Sequence, residues 1–178
     1  DPALIGHAYN GRGVAKIQQG KVEEAVSDLG MARIAMQRSG SLVDAAAVGV
    51  NLALIEVQRG HYAQALQEFD RAIAVFERFE VRDYLAAALV GKANTQLKLA
   101  QPADAVASIQ RTDALSKSLE DKDLATRIAT VRVEAMPAQG RLGEAERSIA
   151  SLRALGEPEN SQALQSAMLR LRMAQGDL

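Results

Sequence analysis

Acid–base catalysis near neutral pH falls first to histidine, and this sequence holds two, His7 and His61, placed 54 positions apart. His61 reads as a solvated turn residue and His7 as a surface residue of the first helix, not as general bases. There is no Cys, which excludes disulfides, thiolate metal sites and Cys nucleophiles. Gly11-Arg12-Gly13 begins like a phosphate-binding loop. That chemistry needs a preceding strand and a third glycine, whereas the flanks here are helical and Ala15-Lys16 follow. Glu23-Glu24 and Glu120-Asp121-Lys122-Asp123 are acidic clusters at predicted helix starts, where carboxylates favour the helix dipole. No His/Asp cluster has the spacing of metal ligands. The residues therefore predict no enzyme, no cofactor and no metal.

Composition narrows the partners. The 178 residues carry 21 basic and 22 acidic side chains, a net charge of -1, which gives no global reason to bind nucleic acid or an anionic membrane. Arg127, Arg132, Arg141, Arg147 and Arg153 make one stretch basic, but Glu134, Glu144 and Glu146 offset them. Aromatics for base stacking are only 3%. No apolar run approaches the roughly 20 residues that span a bilayer. Hydrophobic residues at 48% and charged residues at 24% are the balance of a soluble, packed chain. Ala occurs 33 times, which points to helices packed at close range. The chain starts at Asp1 without a signal peptide and reads as a piece of a longer protein, cytoplasmic, with the periplasm as the alternative.

The elements that position these residues repeat. Laid over itself at a shift of 40, the chain aligns Gly20, Gly60, Ala100 and Gly140, and also Ala25, Ala65, Ala105 and Ala145. A fixed period of this size indicates stacked supersecondary units. In Ser41–Arg59, apolar residues at Val43, Ala46, Ala47, Val50, Leu54 and Val57 keep helical spacing, and Gly60 ends the helix. A second helix begins at His61-Tyr62, with Ala65, Leu66, Phe69, Ala72, Ile73 and Phe76 on its buried stripe. Nothing alternates with period two, so no strand is predicted. Asp1-Pro2 predicts a capped helix start, Pro102 a helix opening and Pro158 a loop; Pro137 falls inside the last turn of a helix and predicts a kink. The recurrent alanines face the preceding helix of their own unit, opposite Gly13, Ala53 and Ala93; Val133 in the fourth copy predicts a splayed pair.

Asn51-Leu52-Ala53, Gly60-His61-Tyr62, Ala65-Leu66, Phe69 and Ala72-Ile73 together resemble the tetratricopeptide repeat family, as do Tyr9, Gly13, Gly20-Lys21, Glu24-Ala25-Val26, Leu29 and Ala32 in the first copy. The chain departs from the family in its period, 40 rather than 34, in lacking the hallmark Trp and in Arg12 where Leu is usual. Longer-period variants of this kind are similar to those in bacterial regulatory proteins and motor-adaptor scaffolds. The resemblance implies an all-α, right-handed superhelix (an α-solenoid) of antiparallel helix pairs. About four and a half repeats fit the chain, near 2–40, 41–80, 81–120, 121–158 and a partial 159–178.

In the resembling family the first helix of each unit lines a concave groove. On the repeat register that groove holds Asn10, Val14, Ile17, Val50, Asn51, Leu54, Asn94, Lys98 and Arg127, with Val57, Val90, Leu97, Thr130, Val131 and Glu134 beside them. Asn amides would bond a peptide backbone and aliphatic neighbours would take its side chains. The expected partner is a protein or peptide held by a non-catalytic module for signal transduction or transcription regulation. The carboxylate clamp of the family's chaperone-binding members is matched only at Asn51, since Asn10, Val14, Ala87 and Gly91 stand where its other charged and Asn residues belong. The alternative is self-association or assembly of a secretion or pilus complex. Leu164, Met168, Leu171 and Met173 on the unpaired terminal helix would favour a homodimer.

Overall fold

Helix follows helix along this chain because its apolar residues recur at three- and four-residue spacing and its turns recur every twenty residues as far as Ala100. A computed structural model describes residues 1–112, 115 and 122–177. Among these, all regular structure is helical. The helices are α1 Pro2–Gln18, α2 Val22–Arg38, α3 Leu42–Gln58, α4 Tyr62–Arg78, α5 Arg82–Lys98 and α6 Pro102–Gln110, followed by α7 Lys122–Ala135, α8 Leu142–Ala154 and α9 Gln162–Gln175. The first five are 17 residues each, joined by three-residue turns.

The turns share one geometry. The residue at positions 20, 40, 60, 80, 100 and 140 is left-handed, and four of these six are glycine. The N–H of the next residue donates back to the carbonyl five positions earlier, as Lys21 does to Lys16 and His61 to Glu56, over 2.8 to 3.1 Å. This double-bonded helix stop satisfies carbonyls that would otherwise be orphaned. It also sends the chain straight back, so consecutive helices run antiparallel. Glu80 and Ala100 hold the same conformation at φ 55° and 56° despite their β-carbons.

The prolines act as their chemistry requires. Asp1 accepts from the Ala3 N–H at 2.9 Å and caps α1 ahead of Pro2. Pro102 is the first residue of α6, and Pro158 lies between α8 and α9. At Pro137 the outcome is an ending rather than a kink. α7 stops at Ala135 and residues Pro137–Gln139 form a 3₁₀ turn, because proline cannot donate to the helix ladder. Lys122 and Asp123 open α7; Glu120 and Asp121 lie outside the described residues.

The chain falls into two compact units, Asp1–Gly91 and Lys92–Leu178, with the boundary inside α5. In the first, α2 and α3 close a core of Ala25, Leu29, Ala32 and Met36 against Ala45, Val48, Leu52 and Ile55. α4 buries Ala65, Phe69, Ala72, Ile73 and Phe76. The small-residue pairing holds at Gly13, where a β-carbon would lie 3.4 Å from the Ala25 carbonyl and 2.9 Å from Leu29. Gly91 gives the same closeness between α5 and α4, since a β-carbon there would sit 2.6 Å from the Phe69 ring. In the second unit α7 packs on α6 and α8, and α9 packs on α8. Val133 and Ala145 are both fully buried there.

Candidate functional site

α3 carries more apolar surface than a helix needs for one core. Its Ala45, Val48, Leu52 and Ile55 face α2. A second stripe, Val43, Ala47, Val50, Leu54 and Val57, stays partly or fully exposed, with Leu54 at 42%. The expected apolar spacing in this segment thus belongs mostly to the outer stripe, and only Ala46 of that set is buried. The same register on α1 gives Ala3, His7, Asn10, Val14 and Ile17, all at least partly exposed.

The two stripes meet through polar groups. The Asn51 amide donates to the Asn10 carbonyl oxygen at 3.4 Å. His7 Nε2 lies 3.8 Å from an Asp44 carboxylate oxygen. The amide–amide bond uses one donor of Asn51 and one acceptor of Asn10, which leaves both side chains capacity for another chain. Asn10, Val14, Ile17, Val50, Asn51 and Leu54 therefore share one face of the first unit, with Ile17 also packed against its core. Asn94 is half-buried and Lys98 exposed on the part of α5 that belongs to the second unit, and Arg127 is exposed on α7. Val90 and Val131 are corrections. Both are buried, at 0% and 1% exposure, because they point into the helix packing rather than outward. Thr130 donates to the Thr126 carbonyl of its own helix, and Glu134 lies 4.0 Å from Arg170.

A polar position inside each repeat escaped the sequence reading. Residues 28, 68, 108 and 148 share one register, and three of the four, Asp28, Ser108 and Ser148, are buried. Asp28 is clasped by α1: Arg12 donates to both its oxygens at 2.7 and 2.6 Å, and Lys16 lies at 2.9 Å. The Arg12 bonds, then Lys16, hold its carboxyl well below the usual carboxylate range. Ser108 makes the neutral version of that clasp, donating to Gln96 at 2.8 Å from the register position of Lys16. In the second repeat the two equivalent positions are Glu56 and Glu68, and like charges cannot clasp. Each turns elsewhere. Glu56 pairs with Arg59 at 3.1 Å and His61 at 2.7 Å. Glu68 accepts from Arg33 of α2 at 3.1 Å and from Arg71 at 2.8 Å. The visible signal was the Lys/Glu/Gln change at positions 16, 56 and 96.

Among the described residues no group of three or more His, Asp or Glu side chains is placed to hold a metal ion. No described helix is long and apolar enough to cross a membrane. Compared with known proteins, the chain is matched by no family model and by no curated protein.

Proposed function

We propose that this chain is a non-catalytic interaction module that holds a peptide segment of another protein on the exposed face that α1 and α3 share. The observation that carries the reading is the second apolar stripe of α3, which lies outside the core that α2 and α3 share and stays partly exposed, Leu54 most of all. Val50, Leu54 and Val57 supply aliphatic contacts, and the joined Asn10 and Asn51 amides supply backbone hydrogen bonds. The resemblance to long-period tetratricopeptide repeats supports a place within a larger bacterial regulatory protein. The test is selection of binders from a random peptide library, followed by NMR mapping on the isotope-labelled chain. Shifts confined to α1 and α3, lost in Asn51→Asp and Leu54→Lys with the melt unchanged, support the reading. Shifts on other helices overturn it.

A second reading, self-association, is favoured by α9. Leu164 and Leu171 are buried rather than presented, but Leu169 and Met173 stand 52% and 64% exposed. Light scattering that detects a dimer, abolished by Leu169→Glu with Met173→Glu, would support it; a monomer at all concentrations would exclude it.

A further inference from the structure

α2 and α4 straddle α3 with a cleft of about 350 Å³ between them. Gly49 explains why the cleft exists. The positions one repeat before and after it hold Tyr9 and Leu89, large side chains, whereas a β-carbon at Gly49 would meet nothing nearer than Glu68 at 3.7 Å. Ala45, Ala46 and Ala72 continue this small-residue floor, and Val75 lines the α4 wall. The face lies roughly a third of a turn around α3 from the outer stripe.

The polar groups of the cleft are unequal in charge. At one end Arg33 and Arg71 converge on Glu68, the carboxylate displaced there by its like-charged register partner. At the other end Arg78 lies over the Phe79 ring at 5.5 Å. Three guanidiniums thus face a single carboxylate across an aliphatic floor. Arg71 remains 67% exposed while it touches Glu68, so its guanidinium can bond a second anion. From Glu68 to Phe79 the cleft runs eleven residues along α4, about 16 Å. The volume is that of a small-molecule site.

We infer that the α2–α3–α4 cleft binds a small amphipathic carboxylate, its hydrocarbon chain over Gly49 and the alanines and its head group on the Arg71 or Arg78 guanidinium. The test is calorimetric titration of the whole chain with decanoate, decanol and decyltrimethylammonium, each below its micelle concentration. Decanoate is expected to bind, decanol more weakly and the cation not at all. Gly49→Leu should remove decanoate and decanol binding together, with helicity and melting temperature retained as evidence of folding. Arg71→Gln with Arg78→Gln should weaken decanoate about tenfold, the effect of losing one charge-assisted bond, and leave decanol unchanged. Equal binding of the cation, or undiminished decanoate binding in folded Gly49→Leu, overturns the inference. So does a dimer that Gly49→Leu dissociates, since a second copy would then be the occupant.

Discussion

Asp28 shows how one buried charge reports on a whole helix pair. Its side chain is 6% exposed and held by two cations of α1. The folded chain keeps this carboxylate ionised at a pH where the unfolded chain has already taken up a proton. Stability from the clasp is therefore complete above the ordinary Asp pKa of about 4 and is lost as pH falls below it. Thermal melts from pH 7 to pH 2 should show this acid-side loss. In Asp28→Asn the melting temperature should be several degrees lower at pH 7 and the acid-side slope shallower. Equal slopes in the two proteins would show that other carboxylates set the acid limit.

The partners of residues 28, 68, 108 and 148 also mark what was hidden from sequence. Small and apolar residues speak through spacing alone, so the register of Ala25, Ala65, Ala105 and Ala145 was visible, and all four are fully buried. A polar side chain instead selects among partners by charge and reach, and Glu68 finds its partners 35 and 3 residues away. Reading Glu68 required noticing that Glu56 opposes it in the register. Asn10, Asn51 and Leu54 were grouped on the family resemblance, and the structure leaves all three at least partly exposed. Val90 and Val131 were misplaced because a Val on an apolar helix fits inside and outside equally well.

At the scale of the helix, glycines in similar settings should respond with opposite sign. Gly91 admits the Phe69 ring so closely that a methyl group must displace it. Overpacking of about 1–3 kcal/mol then outweighs the gain of about 1 kcal/mol from alanine's helix propensity. Gly49 has room, so Gly49→Ala should stabilise by about 1 kcal/mol. Urea melts of the two variants give both numbers, and a stabilised Gly91→Ala would refute the close packing of α4 on α5. The turns offer the reverse exchange. Ala100 holds a left-handed backbone at φ 56°, which costs a residue with a β-carbon about 1 kcal/mol. Ala100→Gly should recover about that amount, read from the shift of the urea midpoint at constant slope. No gain would mean that the strain is relieved elsewhere in the turn.

Across the molecule, the division into two units cuts through α5 rather than through a turn. Stability in repeat arrays is close to a sum of unit and nearest-neighbour terms, so the place of truncation matters more than its length. A fragment of residues 1–101 keeps α5 whole together with its closing turn. A fragment ending at Gly91 leaves half a helix without a stop. The longer fragment should melt cooperatively by circular dichroism, and the shorter should melt lower and more broadly. Identical melts would show that the second half of α5 contributes nothing to the first unit.

The uniform seventeen-plus-three rhythm of the first five helices also constrains how such a gene can change its length. Recombination between copies that removes or adds forty codons returns every downstream helix to its former direction. A twenty-codon event would be equally silent at the junction, because both turns end in the same left-handed stop, yet it would reverse the polarity of all that follows. Gene lineages of this kind should therefore grow and shrink in even numbers of helices.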